Sequence, residues 1–247
     1  MWLACYSNRW SSTLRLVLVA GLVGYVGGAA TLVAQEKSVR PGINDSFRDP
    51  VVDEWVGRFE VESRETFEKR QEIVATMKLK PGAVVADIGA GTGLFTRLFA
   101  AAVQPKGKVV AVDISQKFLD HIAASSQKAG LANVETVLGT AHSVELAPAT
   151  IDVAFICDTY HHFEFPYRVM SSLHKALKPG GRVVVIDFIR IPGQSTDWVM
   201  SHVRAGQEEV ETEITKTGFR KVGEVKDLLK QNYIVIFERT ELAASGN

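Results

Sequence analysis

The chain has 247 residues, of which 46% are hydrophobic and 23% are charged, and its 28 basic side chains balance its 28 acidic ones. This composition is that of a globular protein with a full core, and it excludes wholesale disorder. The lack of a basic surplus argues against a nucleic-acid substrate. The two cysteines, Cys5 and Cys157, lie in unlike surroundings and do not form a disulfide framework.

The N-terminal segment has the composition of an export or anchor sequence. Arg9 and Arg15 precede the strongly apolar residues 16–26 and the Gly/Ala-rich residues 27–34. That order of basic, apolar and small residues is typical of a secretory signal peptide. The nineteen residues 16–34 are also long enough to cross a bilayer as an uncleaved anchor. Either leader exports the following domain to the periplasmic side, whereas a start codon assigned too far upstream would leave it cytoplasmic.

The sequence is interpreted as four regions. Residues 1–36 are interpreted as a signal peptide or membrane anchor, and residues 37–52, which are polar and contain two prolines, as a linker. Residues 53–240 are predicted to form a single domain, and residues 241–247 a short tail. Membrane contact is expected through the N-terminal segment, and nothing in the sequence indicates an oligomeric state.

Strands and helices alternate beyond the linker. Helices are predicted at residues 55–77, 94–102, 115–129, 167–177 and 208–217. Strands are predicted at residues 83–88, 108–113, 133–138, 151–157, 182–189, 219–225 and 232–238. Most strands are continuous Val/Ile/Ala runs, which indicates a doubly wound α/β domain with a parallel sheet covered on both faces. The last two strands are joined too closely for a full crossover, so one of them is predicted to be antiparallel.

A glycine-rich loop follows the first strand. Asp87 and Ile88 lead into Gly89-Ala90-Gly91-Thr92-Gly93, just before a helix. Glycine lets a ligand approach the backbone closely, and the loop lies at the sheet edge where doubly wound folds bind ligands. The spacing is G-x-G-x-G rather than the G-x-G-x-x-G of dinucleotide sites. The nearby Asp87 carboxylate suits a ligand with an ammonium group better than one with a pyrophosphate.

A second acidic residue, Asp113, ends the second strand. A carboxylate at this position can accept hydrogen bonds from the two hydroxyl groups of a ribose, as in NAD sites. The following residue, Ile114, is predicted to pack on an adenine ring. Asp113 alone is weak evidence, and the glycine loop upstream of it strengthens the prediction.

Three segments together resemble the class I S-adenosylmethionine-dependent methyltransferases over about residues 55–240. They are VVADIGAGTG, VVAVDIS and LKPGGRVVVIDF. More closely, the sequence is similar to the small-molecule branch that includes the ubiquinone/menaquinone C-methyltransferases. The resemblance implies a Rossmann-like, seven-stranded, mostly parallel sheet with an antiparallel last strand, and S-adenosyl-L-methionine as the cofactor.

The resemblance also implies roles for individual residues. Asp87 and the loop Gly89, Ala90, Gly91 and Gly93 would surround the methionine moiety. Asp113 would hold the ribose, and the adenine would lie beside Thr140, Ala141 and His142. The acidic residue that often accepts the adenine amino group is absent from this stretch.

Polar residues follow the fourth strand at the same edge of the sheet. Asp158, Tyr160, His161 and His162 are predicted to face the cofactor's sulfonium, with Asp158 belonging to the cofactor site as well. Methyl transfer needs mainly alignment and exclusion of water, and a base helps only when the acceptor carries a proton. His161 is the preferred base, with His162 and Asp158 as the other catalytic candidates, and a packing or hydrogen-bonding role is the alternative. Metal binding by Cys157, Asp158, His161 and His162 is a third alternative. Cys157 ends a buried strand and the four residues lack the paired spacing of a zinc site, so no metal is expected.

A long connection follows the fifth strand and is predicted to bind the substrate. Its candidate residues are Trp198, His202 and Arg204. Trp198 and His202 are four residues apart, so they share a face if the segment is helical. Arg204 would suit an anionic acceptor. The helix before the first strand, which carries Trp55, Phe59, Glu62 and Arg64, is predicted to close the other side. An ordinary surface loop is the alternative interpretation of the connection.

The function predicted from these features is methyl transfer from S-adenosylmethionine to a small or lipid-like molecule. The alternative is a non-catalytic protein on the same fold that binds a cofactor or a metal. An NAD-dependent reductase is a further alternative, against which the G-x-G-x-G spacing counts.

Overall fold

The computed structural model describes residues 35–241. Most of the predicted leader, residues 1–34, lies outside the described residues, as do residues 242–247 of the predicted tail. Within the described part of the chain, no helix combines the length and the apolar composition needed to cross a bilayer.

The described elements alternate as the sequence predicts. The helices are α1 (Asp45–Arg48), α2 (Val52–Phe59), α3 (Glu65–Glu68), α4 (Arg70–Thr76), α5 (Leu94–Ala102), α6 (Gln116–Lys128), α7 (Pro166–Ala176), α8 (Asp197–His202) and α9 (Gln207–Thr215). The strands are β1 (Val84–Ile88), β2 (Lys108–Asp113), β3 (Val134–Leu138), β4 (Ile151–Cys157), β5 (Leu177–Phe188), β6 (Phe219–Val225) and β7 (Asn232–Arg239). A short 3₁₀ turn, Tyr160–His162, follows β4.

The seven strands form one sheet in the order β3-β2-β1-β4-β5-β7-β6. The pairs among β1 to β5 are parallel, and β7 is antiparallel to both of its neighbours. The prediction of a mostly parallel sheet with an antiparallel last strand is confirmed. The connection from β6 to β7 is a short turn, so β7 returns in the opposite direction and inserts beside β5.

Apolar side chains cover both faces of the sheet. In β1, Val85 belongs to one core cluster and Ala86 to the other, because successive side chains of a strand point to opposite faces. Helices α7 and α9 pack on the Ala86 face, and α4 and α5 on the Val85 face. Burial on both faces explains the continuous apolar runs of the central strands.

The residues before β1 differ from their predictions. Residues 55–77 form three helices rather than one, because the segment breaks where Glu60 and Arg64 reach across to Arg97 and Asp158. Ion pairs with distant parts of the chain therefore interrupt the single helix that the apolar periodicity predicts.

The segment predicted as a linker, residues 37–52, is packed on the domain. The backbone N–H of Val39 donates to the carbonyl of Glu164 at 2.9 Å, and Asn44 is buried. The side chain of the preceding Gln35 also donates to the Glu164 carbonyl, at 3.1 Å. The polar side chains that suggest a solvated spacer instead satisfy backbone groups of the domain.

Candidate active site

A cavity of about 490 Å³ lies at the carboxyl edge of β1, β2, β4 and β5. Its size falls within the range of about 300–1,000 Å³ that is usual for small-molecule sites. One end is formed by the glycine loop and the end of β2, and the other by the segments that follow β4 and β5. The edge that the sequence predicts for ligand binding is therefore concave.

The glycine loop forms the floor of the first end. Gly89 and Gly91 have φ angles of +69° and +54°, a conformation that side-chain-bearing residues rarely adopt. A Cβ on Gly89 would lie 2.1 Å from the Cγ2 atom of Thr159, so only glycine fits there. A Cβ on Gly91 would instead enter the cavity, 3.5 Å from the ring of Phe59. The loop therefore presents bare backbone to a ligand.

Gly93 differs from the other two glycines. It does not line the cavity, and its neighbour Thr92 does. Gly93 begins α5 with a φ of +78°, and a Cβ there would lie 2.7 Å from Ile122. This glycine allows the turn into the helix and its close packing on α6, and its predicted contact with the cofactor stays a prediction.

Asp113 is fixed by the loop that it faces. Its carboxylate accepts hydrogen bonds from the backbone N–H groups of Gly91 and Ser115, both at 2.9 Å. Burial raises the pKa of Asp113, and these backbone hydrogen bonds oppose the shift. A carboxylate oxygen has two lone pairs, so Asp113 can still accept hydrogen bonds from a ligand.

Asp87 is the second acidic group at this end. Burial raises its pKa to about 7, although a hydrogen bond from the Thr96 hydroxyl at 2.6 Å lowers it. The nearby Asp113 raises it further. A buried carboxyl with such a pKa is poised to gain a cationic partner, because a positive charge close to it would favour the ionised form.

The predicted adenine residues take different positions. Ile114, Thr140 and Ala141 line the cavity beside Asp113. His142 does not line it, and its ring instead packs against Phe165 with the ring centres 4.1 Å apart.

The N-terminal residues cover the cavity as predicted. Trp55, Phe59 and Arg64 line it, whereas Glu62 does not and instead pairs with Arg70. Two ion pairs hold this covering segment, called the cover below, on the domain. Arg97 binds both oxygens of Glu60 at 2.9 Å, and Arg64 binds Asp158. Asn44, Ser46 and Phe47 also line the cavity, which the sequence does not predict because this stretch has the composition of a linker.

Asp158 lies at the junction between the cover and the sheet. Arg64 binds one of its oxygens, and the Asn232 side chain donates to the other at 2.6 Å. Burial raises the pKa of Asp158, and Arg64 opposes that shift. Asp158 lines the cavity, but the engagement of both oxygens makes it an anchor for the cover rather than a free base.

Three histidines converge at the second end. His161 and His162 lie in the 3₁₀ turn after β4, and His202 ends α8. All three line the cavity, and one nitrogen from each lies within 4.8 Å of the other two. They are called the histidine cluster below. Among the described residues, this set brings metal-ligand atoms together, whereas the set weighed from the sequence with Cys157 and Asp158 does not.

Asp187 at the end of β5 holds His161. Its carboxylate lies 2.8 Å from the Nδ1 atom of His161 and also accepts the backbone N–H of that residue at 3.0 Å. Burial raises the pKa of Asp187, but His161 and the hydrogen bonds outweigh burial, so the net pKa is lowered. Asp187 therefore fixes the orientation of the His161 ring through Nδ1 and leaves Nε2 without this partner. From the sequence, Asp187 is only the first residue of the connection predicted to bind the substrate, although an acid that ends a buried strand at the ligand edge is a signal for a role of its own.

The other two histidines have lowered pKa values. Burial and the neighbouring His161 and His202 lower the pKa of His162 to about 3, and burial also lowers the pKa of His202. The Nε2 atoms of His162 and His202 are 3.4 Å apart. The helical form of α8 places Trp198 on the same face as His202, where the rings stack with centres 4.7 Å apart. The predicted pairing of Trp198 and His202 is present.

Tyr160 and Arg204 lie away from the cavity, against the prediction that they bind the substrate. Arg204 binds both oxygens of Glu213 in α9, at 2.9 and 2.8 Å, and its side chain is only 7% exposed. The hydroxyl of the fully buried Tyr160 donates to the same carboxylate at 3.0 Å. A buried acid needs a cation and hydrogen bonds to compensate its lost hydration, and Arg204 and Tyr160 supply them.

Comparisons with known proteins agree with this fold. Residues 86–185 match the family described as a methyltransferase domain. The chain is 32% identical to a demethylmenaquinone methyltransferase of Symbiobacterium thermophilum, over 56% of this chain and 56% of that protein. It is 30% identical to a malonyl-[acyl-carrier protein] O-methyltransferase of Methylococcus capsulatus, over 67% of this chain and 62% of that protein. A solved S-adenosylmethionine-dependent methyltransferase of Aquifex aeolicus superposes with a TM-score of 0.68 at 23% identity, covering 76% of this chain and 98% of that chain.

The described fold is therefore one that S-adenosylmethionine-dependent methyltransferases share, and residues 86–185 resemble a methyltransferase domain. The sequence also resembles that of a demethylmenaquinone methyltransferase. The chain spans less than two thirds of the length of these two curated relatives.

Proposed function

We propose that the protein transfers the methyl group of S-adenosylmethionine to a small or lipid-like acceptor. The observation that carries this proposal is the continuity of the cavity, which joins the glycine loop to the histidine cluster. A cofactor on the loop and an acceptor at the cluster would meet in one enclosed space. Such a space is what methyl transfer requires, because alignment and exclusion of water are the main contributions of the protein.

The residues at the first end fit S-adenosylmethionine. The bare backbone at Gly91 leaves room that a side chain would fill, and the fixed Asp113 carboxylate can accept from ribose hydroxyls. The buried Asp87 carboxyl suits the ammonium group of the methionine moiety. When bound, the cofactor supplies an electrophilic methyl group on a positively charged sulfur.

The second end suits a flat or extended apolar acceptor with one polar group. Trp198, Phe188 and Phe47 provide aromatic surface in the cavity wall. His161, oriented by Asp187, is the residue best placed to accept a proton from an acceptor hydroxyl or acidic carbon. The two curated relatives, named for demethylmenaquinone and for malonyl-[acyl-carrier protein], support a small or lipid-like acceptor without choosing between carbon and oxygen.

The experiment uses the full chain and cofactor labelled with tritium in the methyl group. We expect label to move into the organic-soluble fraction of a cell extract, and calorimetry to detect binding of S-adenosylmethionine but not of NAD. Binding without any transfer of label would favour the non-catalytic alternative. Binding of NAD in its place would overturn the cofactor assignment.

We also propose that the N-terminal segment directs the domain to the membrane, on its periplasmic side. The support is the basic, apolar and small order of residues 9–34. Fractionation combined with intact-mass measurement tests this proposal. A protein found in the cytosol and beginning at Met1 would contradict both export and anchoring.

A further inference from the structure

The histidine cluster has the geometry of a metal site. Its three residues come from two separate segments, the 3₁₀ turn after β4 and the end of α8. One ring nitrogen from each lies within 4.8 Å of the others. Three imidazoles so close together, at one end of a cavity, form a more specific arrangement than core packing requires.

The closest pair in the cluster already has the spacing of two ligands. Zinc binds imidazole nitrogen at about 2.0–2.1 Å, so two ligands of a tetrahedral ion lie about 3.3–3.4 Å apart. The Nε2 atoms of His162 and His202 are 3.4 Å apart. That distance is long for an N–H···N hydrogen bond. Small side-chain rotations would bring the third nitrogen into range.

The surroundings of the cluster also match those of metal sites. Histidines that bind metals usually donate their other ring N–H to a carboxylate, which fixes the tautomer and the ring orientation. Asp187 takes this role for His161, at 2.8 Å from Nδ1. Trp198 stacks on His202 and Phe188 packs edge-on against Trp198, which supports the ring of the third ligand.

We infer that His161, His162 and His202 bind a divalent transition-metal ion of the zinc type, with an open coordination position that faces the cavity. Three neutral imidazoles leave the charge of the ion uncompensated, so the open position would take an anionic or polar group of the acceptor. Asp158 is not a ligand, because Arg64 and Asn232 engage it. In the metal-loaded protein, the ion would replace His161 as the group that activates the acceptor.

The test uses the full chain without a histidine tag, treated with a chelator and then desalted. It is titrated with Zn²⁺, and separately with Co²⁺, whose visible absorption reports a low-coordinate site. His202→Ala and His162→Ala remove ligands, and His121→Ala on α6 is the matched control outside the cluster. Elemental analysis after dialysis gives the stoichiometry.

We expect one metal ion per chain for the wild type and the control, and a metal-dependent rise in melting temperature for both. His202→Ala should abolish retention of the metal, and Asp187→Asn should weaken it by about 10–100-fold. A wild type that retains no metal would overturn the inference, as would a His202→Ala protein that retains as much as wild type. If His162→Ala does not fold, the retention of metal by His202→Ala still tests the inference, because the His202 side chain is only partly buried.

The inference stands apart from the proposed methyl transfer, because metal binding is measured without S-adenosylmethionine. Calorimetry of S-adenosylmethionine binding to the His202→Ala protein then shows whether loss of the metal site affects binding of the cofactor. Cofactor binding without metal would contradict only the metal site, and metal binding without cofactor binding only the proposed function.

Discussion

The two ends of the cavity are built in different ways. The first end, where we place the cofactor and which is called the cofactor end, consists mainly of the glycine loop and the adjacent β2 terminus within residues 87–114, with Thr140 and Ala141 beside them. The acceptor end is assembled by side chains from segments far apart in the chain, including α1, the turn after β4 and α8. A site made from the backbone of one local segment can be recognised from a sequence motif. A site assembled from side chains that are far apart in the chain cannot.

The largest effect on cofactor binding is expected for Gly91, whose missing side chain leaves the backbone of the loop open to the cofactor. Gly91→Val should eliminate binding of S-adenosylmethionine, because the branched side chain would occupy the cavity and resist the positive φ of this position. Calorimetry measures the loss. Gly57→Ala in α2 is the control, since its Cβ would meet no atom within 4 Å. Tight binding by the Gly91 variant would mean that the loop does not hold the cofactor.

Arg204 tests the boundary of the acceptor end. Arg204→Ala should lower the free energy of unfolding by about 3–5 kcal/mol, because it leaves the buried Glu213 carboxylate without its cation. Denaturant unfolding measures the loss. Arg220→Ala is the control: its ion pair with Glu238 is exposed, and such pairs contribute about 0–1 kcal/mol. A stable Arg204 variant with impaired acceptor binding would restore the prediction made from the sequence.

Asp113 tests the polar contact of the cofactor end. Asp113→Ala should weaken binding of S-adenosylmethionine by about 1.5–3 kcal/mol, the range for lost hydrogen bonds to a charged group. Calorimetry with melting curves separates lost affinity from unfolding. Asp120→Ala, an exposed acid on α6, should leave affinity unchanged. Unchanged affinity in a folded Asp113 variant would remove Asp113 from the site.

Asp87 produces the smallest expected effect, a pH dependence of affinity. Its pKa is about 7, and a cationic ligand prefers the ionised form. Affinity for S-adenosylmethionine should therefore fall by about tenfold between pH 8 and pH 6, because the ionised fraction falls by about that factor. Asp87→Asn should remove this dependence. A wild-type affinity that is flat across this range would contradict the role of Asp87.

The raised pKa of Asp87 also determines how the free energy of unfolding changes with pH. Folded Asp87 keeps its proton up to about pH 7, whereas the unfolded chain releases it near pH 3.8. The folded state thus binds more protons between these values, and the contribution of Asp87 to the unfolding free energy falls as pH rises through this window. Asp87→Asn should lessen that decline in melting experiments.

The sequence predicts the sheet, and it predicts most of the residues that meet at the first end of the cavity. All seven strands are predicted, the central ones most clearly, because burial on both faces leaves a continuous apolar run. The glycine loop and Asp113 are adjacent in space because β1 and β2 are neighbouring parallel strands. Gly93 does not line the cavity, since the motif does not distinguish a glycine that faces a ligand from one that allows a turn.

The acceptor end is predicted only in part. Trp198 and His202 are found through their helical spacing, but Asp187 and the covering residues around Phe47 are not. Arg204 is misassigned because its partner Glu213 lies in another helix, and a charged side chain in a loop has the same sequence signal whether it is buried or exposed. Side-chain pairing across the fold decides these roles, and periodicity does not encode it.

The cavity is proposed to hold the cofactor at one end and the acceptor at the other, and His161→Ala tests this arrangement. The rate of label transfer from methyl-tritiated S-adenosylmethionine, at saturating cofactor, is compared between the wild-type chain and His161→Ala, both treated with a chelator so that His161 acts as a base and not as a metal ligand. We expect a rate lower by about 10²–10⁴-fold in the variant, the usual contribution of a general base, with the dissociation constant of the cofactor unchanged. An unaltered rate, or a loss of rate that follows a loss of cofactor affinity, would contradict this arrangement.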